Sequence, residues 1–226
     1  SLGAGVGDVL DAHMAASGRF RGIRHATGWD ASKDIRNSHT SPPEKLLGDK
    51  VFREGFSELG KRDLTFDAWL YHSQIDELTA LARAFPEQPI VFDHFGGPLG
   101  IGPYQGKRDE IFSFWKAAVT ELARCENVVA KLGGLVMPIN GFGFHKAAEP
   151  ASSEALESTT RDYYLHMIEQ FGVGRCMFES NFPVDKTSCS YNVLWNSFKR
   201  IAAGFSAEEK SDLFHNTAAR TYTVTV

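Results

Sequence analysis

Apolar residues along the chain follow two spacings, one typical of short buried strands and one typical of amphipathic helices. Five short apolar runs predict strands, at residues 20–25, 64–72, 89–94, 127–135 and 176–181. Longer segments with apolar residues three and four apart predict helices, at residues 6–17, 44–61, 74–85, 108–125, 152–172, 191–204 and 207–222. Short strands that alternate with helices indicate βαβ units, so we expect an α/β fold with a parallel sheet.

Polar or small residues stand where each predicted strand ends. In chain order these are His25, then Tyr71 and His72, then His94, then Gly133 and Gly134, and finally Asn181. The carboxyl ends of parallel strands lie on one face, which in a (β/α)8 barrel holds the active site, so we expect these residues to converge. The two glycines would let another group approach the backbone. A single histidine could equally cap a helix or be hydrogen-bonded in the core. The prediction of a shared site therefore depends on polar residues recurring at the ends of several strands.

Composition and charge narrow the class of protein. The chain has 226 residues, 42% hydrophobic and 23% charged, with a formal net charge of −4 at pH 7. It has no basic stripe for nucleic acid, no apolar run long enough to cross a membrane and no signal-peptide pattern at its start. The few, widely spaced cysteines, Cys125, Cys176 and Cys189, indicate a reducing compartment. We expect residues 1–226 to form one domain of a cytoplasmic protein with a small-molecule partner, without nucleic acid or membrane; a homo-oligomer is left open.

The motifs at the strand ends carry a resemblance to a known family. They are RGIRH at the first strand, YH at the end of the second, DHFGGP after the third and FESNFPVD at the last. In this order they resemble the amidohydrolase-related family, the amidohydrolase 2 group of metal-dependent hydrolase TIM barrels. The most similar branch contains lactonases of sugar acids and the pyrone-dicarboxylate lactonase. The resemblance extends from about residue 19 to the closing NTAARTY, and it is more specific for the family than for a substrate.

The resemblance implies a TIM-like (β/α)8 barrel of which this chain holds a part. RGIRH matches the fourth barrel strand, so strands four to eight are present. The His-x-His pair that opens the family's first strand does not occur in this sequence, and a complete barrel takes about 250 residues. We therefore expect an incomplete barrel that lacks the first three βα units, and an eight-stranded structure of these residues would contradict this.

The resemblance also implies two catalytic candidates, His94 and Asn181, and strand alternation adds a third, Glu179. His94 matches the family's histidine on its strand, which binds a metal or, without one, polarises a carbonyl or orients water. Asn181 occupies the position of an aspartate that binds metal or acts as the general base, and an amide cannot take a proton near neutral pH. Glu179 points to the same side as Asn181; if buried, it would have a raised pKa and could replace the base, or it could form an ion pair with an arginine or lysine. Asp185 is expected to be a helix N-cap or loop residue.

Substrate-binding candidates follow from the same branch, in which arginines and a tyrosine hold a carboxylate. The resemblance therefore implies that Arg24 and Tyr71 bind substrate. Either could instead be a structural residue at a strand end. Further candidates to line the pocket are His25, His72, Trp29 and Trp69. Lys131 lies inside the fourth predicted strand and is expected either to pair with an acid such as Glu179 or to reach towards the site.

A divalent metal, zinc, is typical of the family, but the ligand set in this chain is incomplete. Only His94 remains of the usual ligands, whereas a zinc site takes three or four protein ligands, so no tightly bound zinc is expected. The resemblance implies a hydrolase that opens a lactone or similar cyclic ester of a carboxylic acid, with a carboxylate-bearing small molecule as substrate. Two alternatives stay open, a non-oxidative decarboxylase of the same family and a non-catalytic binding protein on a decayed barrel.

Overall fold

The computed structural model, which describes residues 2–224, contains a parallel sheet whose strands follow one another in chain order. The strands are β1 (Gly22–Ala26), β2 (Thr65–Trp69), β3 (Ile90–Phe92), β4 (Val128–Leu132) and β5 (Cys176–Phe178). Each strand pairs in parallel with the next. The predicted α/β fold is confirmed, and five strands in this order are consistent with the expected incomplete barrel.

Helices follow and precede the strands as the sequence predicts, with two differences. They are α1 (Val6–Ala16), α2 (Lys50–Gly60), α3 (Ile75–Ala84), α4 (Arg108–Ala123), α5 (Ser153–Phe171), α6 (Tyr191–Ile201), α7 (Ala207–Ser211) and α8 (Thr217–Thr221). The helix predicted at 44–61 begins only at α2, because the Asp49 side chain accepts a hydrogen bond from the Phe52 N–H and caps the helix there. A π-helical turn, Asp212–Asn216, separates α7 from α8 within the predicted helix at 207–222.

The sheet has one apolar face and one charged face. Side chains alternate along each strand, so neighbours in sequence point to opposite faces. Phe66, Ile90 and Ala130 belong to the apolar face and lie in the core beneath the helices. Arg24 and Asp67, which are paired in register across β1 and β2, belong to the other face. That second face corresponds to the interior of a barrel, and the chemistry of this chain is concentrated there.

The structure bears on the cysteines and on the absence of a membrane-spanning run predicted from the sequence. Cys125, Cys176 and Cys189 are free, buried thiols. Within residues 2–224, no helix combines the length and the apolar character that crossing a bilayer requires.

Candidate active site

A cleft of about 370 Å³ opens at the carboxyl ends of the strands. Its lining includes Arg24, Trp69, His94, Met137, Asn181 and Val184. Four of the predicted site residues, Arg24, Trp69, His94 and Asn181, are thus brought together from β1, from β2, from the end of β3 and from the segment after β5. Glu179 joins them through its contact with His94.

His94 lies at the floor of the cleft and is only 3% exposed. The backbone takes positive φ at His94 (+53°) and Phe95 (+59°), which interrupts the alternation of β3 and turns the imidazole towards the charged face. Its Nδ1 contacts a carboxylate oxygen of Glu179, and its Nε2 lies 2.9 Å from Nη2 of Arg24. Because a guanidinium only donates, Nε2 of the neutral ring accepts from Arg24, which leaves the ring proton on Nδ1, facing Glu179.

Burial and charge together set the protonation of the His94–Glu179 pair. Burial lowers the pKa of His94, but the charge and hydrogen bond of Glu179 outweigh it and the pKa is raised. Burial raises the pKa of Glu179, yet the charge and hydrogen bond of His94 outweigh it and the pKa is lowered. The expectation of a raised pKa for a buried Glu179 is therefore wrong. Glu179 is an ionised partner that orients the imidazole, which is the ion-pair alternative with histidine in place of arginine or lysine.

A network of acidic and basic side chains on the charged face of the sheet holds Arg24 in place. Asp93 Oδ2 lies 2.7 Å from Nε of Arg24, and Asp93 is 1% exposed. Lys131 Nζ lies 3.3 Å from Asp93 Oδ1 and 2.5 Å from Asp67 Oδ2. The hydroxyl of Tyr222 donates to Asp67 over 2.7 Å. These contacts hold Arg24 at the cleft by its Nε and leave its terminal nitrogens directed at the site.

The predicted pairing of Lys131 with an acid is confirmed, although the acids are Asp67 and Asp93, which were not among the predicted site residues. The structure pairs Lys131 with these two aspartates and not with Glu179. The sequence did mark these two aspartates. Asp67 is a lone carboxylate within an apolar strand, and Asp93 is one at the end of an apolar strand. Tyr222 carried no such signal, since it comes from the far end of the chain.

The two glycines after β4 allow His94 and Glu179 to lie against the backbone. A Cβ added to Gly134, whose φ is +76°, would lie 2.6 Å from Nδ1 of His94. A Cβ added to Gly133 would lie 2.1 Å from the carbonyl oxygen of Glu179. The close approach that the sequence predicted at these glycines is therefore that of His94 and Glu179 themselves.

Asn181 reaches the cleft from a turn that also holds Asp185. The Nδ2 of Asn181 donates to Oδ1 of Asp185 over 2.9 Å. Asp185 lies in the short 3₁₀ turn Val184–Thr187 and is fully buried at 0% exposure, and burial raises its pKa to about 7. Of the two roles expected for Asp185, the structure shows a residue of a connecting turn and not an N-cap, because its side chain bonds back to Asn181 instead of to a helix N-terminus.

Three predicted substrate-binding residues lie outside the lining of the cleft. The hydroxyl of Tyr71 donates to the carbonyl of Arg36 within a small buried cluster. The backbone N–H of Trp29 donates to Gln74. His25 packs on Phe52, with ring centroids 5.8 Å apart, in a pocket on the opposite face of β1. The alternation of a strand corrects the grouping of His25 with its neighbour Arg24, because adjacent side chains cannot both reach one face.

His72 is also away from the cleft lining and is 2% exposed. Its Nδ1 accepts a hydrogen bond from the Leu99 N–H over 3.3 Å, and Tyr104 and Phe114 pack on its ring. Burial lowers the pKa of His72 to about 4. The neutral imidazole is thus a structural acceptor, which replaces the role in substrate binding that the sequence suggested.

The low pKa of His72 predicts a loss of stability in mild acid. The unfolded chain takes up the proton near pH 6.5 and the folded chain only near pH 4, so the contribution is complete above pH 6.5 and decreases below it. The full difference is about 3 kcal/mol. We expect the free energy of unfolding, measured with urea at pH 7.5 and pH 5, to fall less in His72→Asn than in the unchanged protein. Equal decreases in both would contradict a buried neutral His72.

The donors in the cleft do not by themselves fit a metal ion. Residues 2–224 contain no group of three or more His, Cys, Asp or Glu side chains placed to hold one. The two ring nitrogens of His94 face Glu179 and the cationic Arg24. A zinc site takes three or four protein ligands, and the described residues do not supply them.

Comparison with known proteins agrees with this architecture. A 39% identical relative is the uncharacterized protein y4mH of Sinorhizobium fredii, aligned over 97% of this chain and 66% of the relative. An L-fucono-1,5-lactonase of Burkholderia multivorans is 29% identical over 90% of this chain and 63% of that protein. An amidohydrolase from Burkholderia multivorans, crystallised with bound HEPES, is similar with a TM-score of 0.80 and 26% identity, over 100% of this chain and 72% of that one. A second crystal structure from that organism, with bound zinc, has a TM-score of 0.79 and 26% identity, over 100% of this chain and 72% of that one.

The chain spans about two thirds of the length of these two curated relatives, 66% and 63%. The family model described as amidohydrolase matches residues 8–224, which is nearly the whole chain. The resemblance carried by the strand-end motifs is therefore confirmed, and the protein belongs to the amidohydrolase family.

Proposed function

We propose that the protein is a hydrolase that opens a lactone or similar cyclic ester of a carboxylic acid. The proposal rests on one observation. His94 lies at the floor of the cleft, where Glu179 orients its ring through Nδ1 and Arg24 contacts Nε2. Such a pair is suited to moving a proton to and from water, which ester hydrolysis requires. Two curated relatives named L-fucono-1,5-lactonase, 29% and 28% identical, support a lactone as the substrate.

Arg24 is the residue that would select a carboxylate-bearing substrate. Its side chain is 50% exposed, and Asp93 holds it through Nε. A substrate carboxylate can therefore take the two terminal nitrogens in a bidentate contact while the Nε contact persists. This movement would withdraw Nη2 from Nε2 of His94, so that binding of the substrate exposes the nitrogen that reacts.

His94 then acts as the base for water. Nε2 takes a proton from water while the water oxygen attacks the ester carbonyl, and the ionised Glu179 stabilises the imidazolium through Nδ1–H. The bond between the carbonyl carbon and the ring oxygen breaks, and His94 returns its proton to that oxygen. One lactone and one water give one hydroxy acid, and His94 regains its initial state.

Zinc is bound in one of the similar Burkholderia multivorans structures. The donors described in residues 2–224 do not fit a zinc ion, so the proposed proton transfers use His94, Glu179 and water.

The test is hydrolysis of a lactone panel by the full-length protein, with sugar-acid 1,5-lactones and lactones that bear a second carboxylate. We expect ring opening, and a decrease in kcat of about 100-fold or more in His94→Gln, because proton transfer by a positioned side chain contributes at least this much. His215→Gln, which changes an exposed histidine of the π-helical turn, is the matched control and should keep full activity.

Other outcomes separate the alternatives. Full activity in His94→Gln would remove His94 from the mechanism. Release of CO2 without ring opening would identify a decarboxylase, and ligand binding with no turnover would identify a binding protein.

A further inference from the structure

The side chains of Asn181 and Asp185 form a pair beside the cleft that the mechanism above does not use. Asn181 lines the cleft, and its Nδ2 donates to Oδ1 of the fully buried Asp185. The Asp185 carboxylate also faces the backbone N–H of Gly134. The pair therefore places a carboxylate behind an amide at the edge of the cleft.

The backbone holds the two residues in a fixed relation. The N–H groups of Val184 and Asp185 both donate to the carbonyl of Asn181, over 2.9 Å and 3.2 Å. Asn181 itself has a φ of +51°, a region in which asparagine is enriched among residues other than glycine. The short turn thus brings the Asp185 carboxylate back to the Asn181 side chain.

The chemistry of the pair decides which end of the amide faces the cleft. Above its pKa of about 7, Asp185 is ionised and only accepts hydrogen bonds, so Asn181 directs its NH2 group at it. The amide oxygen, Oδ1, then points away from Asp185. A carboxylate at position 181 would instead put two like charges in contact in a buried place, and one of them would have to take a proton or move away.

We propose that Asp185 is a positioning residue that fixes the Asn181 amide with Oδ1 towards the cleft, where it accepts a hydrogen bond from an O–H group of the reactants. The proposal rests on the proposed hydrolysis for the identity of that O–H group, which is a substrate hydroxyl or the attacking water. The pairing itself is independent of the reaction. It also explains why an amide stands at this position, since only an uncharged donor satisfies Asp185 and still offers an acceptor to the cleft.

The pairing is tested by a double-mutant cycle for stability, with Asn181→Asp, Asp185→Asn and the exchanged pair that carries both changes. Asn181→Asp is expected to lower the Tm of the full-length protein at pH 8 by about 5 °C or more. The added Asp185→Asn change should restore most of this loss, because the new amide can donate to the new carboxylate. Asp8→Asn, an exposed aspartate in α1, is the matched control and should restore nothing. Additive shifts in the exchanged pair would overturn the pairing.

The positioning role is tested by kinetics on the lactone that the protein opens. Asp185→Asn frees the Asn181 amide to rotate, and we expect kcat/KM to fall about 10-fold, as for the loss of one oriented hydrogen bond. The exchanged pair should recover activity relative to Asp185→Asn, because the free oxygen of an aspartate at 181 is again an acceptor. A change in KM alone identifies a substrate hydroxyl as the partner, and a change in kcat identifies the attacking water.

The two measurements distinguish failure of this inference from failure of the proposed function. Lactone hydrolysis that is unaffected by Asp185→Asn would overturn the positioning role and leave the hydrolase in place. Coupled stabilities in a protein that opens no lactone would retain the Asn181–Asp185 pairing and overturn the hydrolase.

Discussion

Replacing Lys131 with methionine is expected to lower the free energy of unfolding by about 3–5 kcal/mol, one of the largest effects of a single substitution in this protein. Lys131 lies between Asp67 and Asp93, which are 8% and 1% exposed. Methionine fills a similar volume but leaves the two carboxylates without the cation that they share. The two aspartates raise the pKa of Lys131 in spite of its burial, so it is charged at neutral pH.

Urea unfolding of the full-length protein at pH 8 and pH 5 measures this effect. The variant should recover part of its stability at pH 5, because one aspartate then takes a proton in the folded state before it does so in the unfolded chain. A second change, Asp67→Asn, should restore part of the loss at pH 8 by removing one of the charges. Lys33→Met replaces an exposed lysine and serves as the control. A loss in Lys131→Met no larger than in this control would show that the charges are not buried together.

The second large effect is expected from Gly134→Ala. The new Cβ would lie 2.6 Å from Nδ1 of His94, at a backbone φ of +76°. The positive φ costs about 1–2 kcal/mol and the forced shift of a packed side chain about 1–3 kcal/mol, so we expect a total loss of about 2–5 kcal/mol. Because His94 is displaced from Glu179, kcat should fall by about 100-fold as well.

Gly106→Ala separates the two contributions. Gly106 has a similar φ of +77°, but nothing lies within 4 Å of its added Cβ. It should lose only the conformational part of the stability and keep its kcat. Equal losses of kcat in the two variants would show that the contact between Gly134 and His94 has no role in catalysis.

The sheet was predictable from the sequence because its signals are local. Apolar runs of strand length, helical spacing and caps such as Ser152 before α5 are properties of neighbouring residues. The helix boundaries that were missed have causes outside that pattern. The Asp49 side chain caps α2 inside a helical-looking segment, and the π-helical turn inserts into a run whose spacing is otherwise regular.

The site was predictable only where a strand end or a family motif marked it. Arg24, His94 and Asn181 were placed in one cleft for that reason. His25 and His72 stand at strand ends too, yet alternation turns the first to the other face and burial makes the second a structural acceptor. Position along the chain therefore identified candidates, and the direction of each side chain selected among them.

Sequence by itself determined the family, the order of the strands and the residue types that meet at their ends, because these depend on motifs and on local periodicity. Tertiary structure alone decided the protonation and partners of those residues. It makes Glu179 an ionised partner of His94. It also pairs Lys131 with Asp67 and Asp93, and it places Asp185 behind Asn181. The physical reason is that pKa values and hydrogen bonds depend on burial and on charges brought together from distant parts of the chain, which local patterns do not contain.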